Sequence, residues 1–284
     1  MTGSILVTGA TGKTGRRVRQ QLERAGQRVR AASRTPRNGH GIRFDWADPS
    51  THEHAADGIE AAYLVAPAGV LDLLGALRPF IDLLLARDVG RLVLLSAASL
   101  PRGGPLMGEV HDYLATAAPR WVVLRPSWFM QNFTEAHHRD TILDHDAIYS
   151  AAGDGRLGWI DAEDIASVAT TCLLDLSVPS FDVVLTGPAT HSHDEIGRII
   201  EDAVGRAIAH ARIGVDELAR RFVVAGLPPA YAQVLAEMDA QIGRGEADFT
   251  TPAVERLTGR PPVGFEEFAR RHAAAWTRRD DAAG

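Results

Sequence analysis

The run Gly9-Ala10-Thr11-Gly12-Lys13-Thr14-Gly15 constrains this chain more than any other, because of what flanks it. Residues 5–8 before it are short, apolar and partly β-branched, which reads as a buried strand. Residues 14–25 after it carry Val18 and Leu22 four apart, with Gly26 as a stop signal, which reads as a helix. Between a strand and a helix each glycine has a physical use. Gly9 permits the tight turn, Gly12 lets the backbone approach a pyrophosphate, and Gly15 lets helix and strand pack closely. The amides from Gly12 through Lys13 and Thr14 then offer an anion site, with Thr11 beside them on the loop. The spacing is GxxGxxG rather than GxGxxG. A P-loop is disfavoured: Thr14 follows Lys13, but the run does not give GxxxxGK.

The same alternation continues. Residues 29–32, 42–44, 62–65, 92–95 and 121–124 read as further strands, with helices over 70–87 and 106–117 between them. Strands separated by helices imply right-handed crossovers and a parallel sheet covered on both faces. The expected fold class is α/β, a Rossmann doubly wound parallel sheet with a smaller, mainly helical C-terminal substrate region. The expected division is a dinucleotide-binding domain over 1–185, with 125–160 contributing to a substrate pocket, and a smaller substrate-binding domain over 186–284. Past Pro126 an aromatic helix over 127–143, a Gly-rich stretch over 153–158, a helix over 162–174 and a strand over 181–185 are expected. Helices over 192–204, 216–225, 229–242, 251–257 and 265–276 follow.

Composition narrows the function. A chain of 284 residues with 45% hydrophobic and 23% charged residues can build one large or two modest domains and is too apolar for disorder. Lys+Arg 30 against Asp+Glu 36 gives a net charge of -6, which argues against nucleic-acid binding by phosphate neutralisation. The single cysteine, Cys172, can form no internal disulfide and no zinc cluster. The N-terminus lacks a basic region followed by a long apolar one, and no apolar run reaches the ~20 residues of a membrane span. A cytoplasmic protein without membrane contact is expected. His137-His138 and His191-Ser192-His193 suggest a metal, but no partner recurs at dependable ligand spacing, so no metal is expected.

A NAD site would place a carboxylate at the end of the second strand, for the ribose 2'-hydroxyl. This chain has Ser33-Arg34, with Arg37 close behind, and an arginine fork matches a 2'-phosphate. NADP(H) is therefore expected in preference to NAD(H). Asp45 after the third strand and Ala66-Pro67 after the fourth fall where such sheets line adenine and ribose, although Asp45 could equally cap the turn before Asp48-Pro49. Ser96 and Pro126, at the carboxyl ends of the fifth and sixth strands, complete the expected cofactor edge.

Four further segments carry a family resemblance: Met107-Gly108-Glu109-Val110-His111-Asp112-Tyr113-Leu114, the run from Leu124 to Phe133, the run from Gly153 to Ala166, and the tail from Asp248 to Phe268. Together with the glycine loop they resemble the NmrA-like atypical short-chain dehydrogenases/reductases, and among these the festuclavine/agroclavine dehydrogenases of ergot alkaloid biosynthesis. The resemblance implies a Rossmann domain, a small C-terminal substrate domain and NAD(P)H-dependent reduction, in the ergot branch of a C=N or iminium carbon. It also admits redox-sensing regulators that bind the cofactor without turning it over, and an isomerase or epimerase of the same fold.

Ordinary short-chain dehydrogenases use Ser, Tyr and Lys, with YxxxK on the helix after the fifth strand. Here Tyr113 is followed four residues on by Ala117, and the sole lysine of the chain is Lys13 in the glycine loop. The ordinary tetrad cannot form. Ser96, His111 and Tyr113 are the catalytic candidates; His111 is about 200° round the helix from Glu109, so Glu109, His111 and Tyr113 cannot all face the cofactor. Trp128, Phe129 and Met130, after the sixth strand, could wall a pocket for a flat apolar small-molecule substrate, with Trp159 in the loop that covers it. The expected activity is NADPH-dependent reduction of a small planar secondary metabolite of iminium, enone or quinone type. Oligomeric state is left open, a homodimer included.

Overall fold

The computed structural model of the protein describes residues 3–36 and 41–278. β1 (Ser4–Val7) leads through the glycine loop into α1 (Gly15–Arg24), then β2 (Val29–Ser33) and β3 (Ile42–Arg43). α2 (His52–Ala56) precedes β4 (Ile59–Leu64), α3 (Leu73–Ala86), β5 (Arg91–Leu95), α4 (Met107–Ala117) and β6 (Trp121–Pro126). Next come α5 (His137–His145), β7 (Ala147–Ser150), β8 (Arg156–Leu157), α6 (Ala162–Leu174) and β9 (Phe181–Leu185). The last elements are β10 (His191–Ser192), α7 (His193–Val204), β11 (Ala209–Arg212), α8 (Val215–Val224), α9 (Pro229–Ile242), α10 (Ala253–Thr258) and α11 (Phe265–His272).

The chain divides into two compact units and crosses between them repeatedly. The first holds the residues up to Pro126, Ala162–Leu185 and Ala253–Gly259; the second holds Ser127–Asp161, Thr186–Pro252 and the residues from Arg260 on.

In the first unit seven strands run in the order β3-β2-β1-β4-β5-β6-β9, every neighbouring pair parallel. This is the doubly wound α/β sheet. Successive strand side chains point to opposite faces. Leu6, Ala62, Leu64, Leu92, Leu94 and Val123 therefore share one buried face with Leu77, Phe80 and Leu84 of α3 and with Val110 and Leu114 of α4. The alternate residues Ile5, Val7, Tyr63, Val93 and Leu124 are buried too, as a sheet covered on both faces requires. β1 lies between β2 and β4, so the chain leaves β1 to one side and returns to the other, which opens a crevice at the carboxyl ends of these strands.

The second unit has its own core, in which Met130, Phe133, Ile148, Trp159, Ile196, Ile200, Phe265, Phe268 and Trp276 meet. The buried Trp276 indole donates its Nε1–H to Phe133 O at 2.6 Å. α7 is fixed at its start by a capping box, with Ser192 and Glu195 each accepting the other's backbone N–H. α8 and α9 form a hairpin around Leu218, Phe222, Ala232 and Ala236.

Two of the differences from the sequence expectations lie in the second unit. The helix expected over 127–143 is a short 3-10 turn at Met130–Asn132 followed by α5, because Met130 N–H donates to Ile160 O and Ile160 N–H to Trp128 O, a ladder that a helix would forbid. β7 and β11 form a parallel pair in a stretch read without strands; Ala, His and Arg supply no apolar alternation there. No helix among the described residues is long and apolar enough to cross a membrane.

Candidate functional site

The glycine loop is built by close backbone contacts. Gly9 has φ +59°, a left-handed conformation that favours glycine. Its carbonyl accepts the Gly12 N–H at 2.8 Å. A Cβ on Gly15 would lie 2.2 Å from that same carbonyl oxygen, so the start of α1 can approach the loop only with glycine there. Thr8, fully buried, ties β1 to β4: its hydroxyl donates to Tyr63 O at 3.2 Å and accepts the Val65 N–H at 2.8 Å. Thr11 and Gly12 are exposed and Lys13 is half-buried, while Thr14 is buried. α1 starts with no side-chain cap and no acidic residue of its own in its first turn, which leaves its positive end suited to an anion.

The other expected cofactor residues follow the ends of neighbouring strands. Arg34 comes directly after β2 and is exposed, whereas Arg37 lies outside the described residues. Asp45 is half-buried; its Oδ1 accepts the Ala47 N–H at 3.0 Å and its carbonyl accepts from His52 Nε2, the turn-capping role. Ala66 and Pro67 follow β4 and are partly exposed. Ser96 follows β5, only 8% exposed, and its Oγ has no protein partner. Pro126 ends β6, and its carbonyl accepts the Ala98 N–H. This edge fits a dinucleotide: side chains are excluded from the glycine cradle, and a buried hydroxyl with no protein partner stands farther along the row.

The three catalytic candidates are not brought together. His111 is fully buried against Trp121, ring centroids 5.6 Å apart, with neither ring nitrogen partnered; burial holds its pKa below the usual imidazole range. Trp121 begins β6, whereas Ser96 follows the end of β5, and Leu95 pairs with Leu124. At about 3.3 Å per residue, some four residues or ~13 Å of strand separate the levels of Trp121 and Ser96. The Tyr113 hydroxyl donates to Asp82 of α3, and the Arg78 guanidinium lies over its ring at 5.0 Å. The Asp82 hydrogen bond raises the Tyr113 pKa. A phenol so engaged serves the packing of α3 on α4.

In the second unit, Phe129 pairs with Ile160 in parallel, which sets residues 128–130 beside 158–160. Trp128 and Phe129 remain half-buried, while Met130 and Trp159 are each 1% exposed and belong to the core. Trp159 Nε1–H donates to His191 O at 3.1 Å. The segment around Gly158 packs tightly: a Cβ on Gly158 would lie 2.9 Å from Thr186 Cβ and 3.0 Å from Phe249 O. Phe249, whose carbonyl makes that contact, is 42% exposed and lies in the tail segment that carries the family resemblance. Among the described residues no group of three His, Cys, Asp or Glu could hold a metal ion.

No protein-family model matches the chain. Full-length relatives do. An uncharacterized oxidoreductase of Bacillus subtilis, YesF, is 38% identical over 276 residues, covering 96% of each chain. An agroclavine dehydrogenase of Claviceps fusiformis is 36% identical over 98% of this chain and all of the relative. The chain belongs to the NmrA-like atypical short-chain dehydrogenase/reductase family. Within that family it groups with the agroclavine and festuclavine dehydrogenases, and it is an NAD(P)H-dependent oxidoreductase. Solved structures share the fold: the triphenylmethane reductase of Citrobacter sp. complexed with NADP(H) has a TM-score of 0.78 at 21% identity over 95% of this chain and 99% of the other. The Escherichia coli quinone oxidoreductase QOR2 complexed with NADPH also has a TM-score of 0.78 at 21% identity, over 94% and 99%.

Proposed function

We propose that this family member is an NADPH-preferring reductase that adds hydride to a small, planar, already activated acceptor of iminium, enone or quinone type. The observation that carries this reading is the pairing of Tyr113 with Asp82 in a chain whose one lysine lies in the glycine loop: the Tyr–Lys proton relay of ordinary short-chain dehydrogenases has no counterpart here. A cationic iminium needs none. When hydride forms the new C–H bond, the π pair of C=N moves to nitrogen and the positive charge is neutralised, so no alkoxide waits for a proton. NADPH, when bound, supplies that hydride.

The residues of this chain supply the rest. The amides from Lys13 to Gly15 hold the pyrophosphate, and Arg34 takes the 2'-phosphate through a charge-assisted fork. Ser96 offers one buried donor to the reacting end, enough to orient an acceptor heteroatom. Trp128 and Phe129 give a flat apolar surface to the substrate. Relatives named for agroclavine and festuclavine, and fold neighbours named for quinones and triphenylmethane dyes, support acceptors of this kind.

Calorimetric titration of NADPH and NADH, with native protein and Arg34→Ala, tests the cofactor assignment. NADPH should bind more tightly, and the variant should lose the preference; equal affinities in the native protein would overturn it. A panel of simple ketones, quinones, enones and iminium salts tests the reaction. Turnover of ketones at ordinary dehydrogenase rates would show that a proton donor has been overlooked, and no turnover of any acceptor would move the assignment to cofactor sensing.

A further inference from the structure

α1 buries an arginine in its apolar stripe. Val18 and Leu22 are fully buried, and Arg17 beside them is only 7% exposed. Its guanidinium joins Lys13 to Glu163: Nη1 donates to Lys13 O at 2.8 Å and Nε to Glu163 Oε1 at 2.9 Å. Glu163 stands in the first turn of α6. Gln21, four residues after Arg17 and so on the same helix face, donates Nε2–H to Glu163 Oε2 at 3.2 Å and to Glu163 O at 3.3 Å. One acidic residue thus gathers two side chains of α1, and the arginine passes that anchorage to the backbone of the glycine loop.

We propose that Arg17 and Glu163 are a positioning pair for the dinucleotide loop, fixing the Lys13–Thr14 peptide so that its amide faces the bound pyrophosphate. The inference rests on the reading of that loop as the pyrophosphate site. The guanidinium is planar and its fork rigid, so fixing Nε on Glu163 also fixes the direction in which Nη1 grips Lys13 O. The peptide between Lys13 and Thr14 is trans, as all the described peptides are. A planar trans peptide points its C=O and N–H oppositely, so holding the carbonyl toward Arg17 turns the Thr14 N–H away from it. That amide is among the donors a helix start leaves without intrahelical partners. Without the pair, the peptide must be ordered at the moment of binding, a loss of about ten-fold in affinity for one fixed backbone unit.

The sequence gives a faint signal of this role. An arginine in register with the buried positions of a helix must find an acceptor. Glu163 also belongs to a segment that marks the family, and nothing in the hydride step uses it.

The test is NADPH titration by calorimetry into the native full chain, Arg17→Ala, Arg17→Lys, Glu163→Gln and the Arg17→Ala/Glu163→Gln double variant, with thermal unfolding of each in the absence of NADPH. Arg17→Ala should weaken NADPH about ten-fold and Glu163→Gln about three-fold. Arg17→Lys should fall between native and Arg17→Ala, since one ammonium cannot span both acceptors. The double variant should bind no more weakly than Arg17→Ala alone. In turnover assays the KM for NADPH should rise with kcat within about two-fold, the mark of lost uniform binding. Native affinity in a folded Arg17→Ala variant, or losses that multiply in the double variant, would overturn the proposal. If Arg17→Ala fails to fold, native affinity in both Arg17→Lys and Glu163→Gln overturns it equally. Native protein that binds neither NADPH nor NADH would instead refute the cofactor reading itself.

Discussion

The two units bury polar side chains in different ways. In the seven-stranded unit they are kept apart. His52 gives its Nε2–H to Asp45 O, Arg91 donates to the carbonyls of Leu176 and Val178, Arg17 is shared between Lys13 O and Glu163, and His111 faces Trp121. In the second unit imidazoles gather. His193 is fully buried with neither nitrogen partnered, stacked on His210 at 5.1 Å and edge-on to His138 at 5.8 Å; His137 and His138 share a contact between their Nε2 atoms at 3.1 Å. His210 has a carboxylate beside it, Asp194, at 3.1 Å. An isolated buried ring loses stability on protonation through desolvation alone, whereas clustered rings also repel one another. The comparison teaches that acid should act on the second unit, and that the glycine loop lies in the unit with the simpler charge pattern.

The largest expected effect tests whether the second unit depends on its own core. Trp276→Ala removes a fully buried indole and its bond to Phe133 O, and should cost about 3 to 5 kcal/mol. Hydrogen exchange should then accelerate over residues 130–146 and 265–278, while β1 and β5 keep their protection. Equal acceleration in the sheet would erase the distinction between the units.

Acid comes next. Burial, reinforced by His210 and His137, pushes the His193 pKa down to about 3, against a weaker raising effect of Asp194. With its folded pKa depressed, His193 contributes stability that is present above the unfolded value of about 6.5 and is lost as pH falls toward about 3. Between pH 7 and pH 4 this amounts to about 3 kcal/mol. His193→Leu should therefore flatten the acid limb of the stability curve measured by urea unfolding; an unchanged limb would show that other groups drive it.

Asp239 acts in the opposite sense. Burial raises its carboxyl to about 6, although the Ala151 and Ala152 amides donate to it. Its contribution is present below the unfolded value of about 3.9 and is lost as pH rises through about 6, a cost of about 2 kcal/mol between pH 4 and pH 8. Asp239→Asn should relieve that cost at pH 8 and gain little at pH 4. Destabilisation of the same size at both values would mean that the amide contacts dominate.

The smallest effect belongs to the first unit. Tyr113→Phe removes one partly exposed hydrogen bond and should change stability by about 1 kcal/mol or less, with turnover within about two-fold of native. A hundred-fold loss of turnover would return Tyr113 to the catalytic centre.

Much of the first unit was legible. β1, the glycine loop and α1 were read within a residue or two of their observed bounds, because apolar period, turn glycine and stop glycine all act locally. β9 was readable for the same reason, although its place beside β6 was not. Of the candidate site, the glycines, Ser96 and Pro126 stand at strand ends as expected, since a strand end is a property of the chain itself. His111 and Tyr113 share a helix with known periodicity, yet which neighbours their faces meet depended on Trp121 and on Asp82, residues that no local spacing connects to them. Arg17 was overlooked for the same reason: its partner stands 146 residues away.

What the sequence determined by itself is therefore the alternation of strands and helices, the glycine loop between β1 and α1 and the lack of a YxxxK pair, each written in residues close enough to act on one another before the chain folds. Only the tertiary structure decided that 127–133 forms a ladder with residue 160 rather than a helix, that β7 pairs with β11, that Met130 and Trp159 are core, and that four histidines share one cluster. These depend on contacts between residues tens of positions apart, where hydrogen bonding and burial outweigh the weak local preferences of each segment.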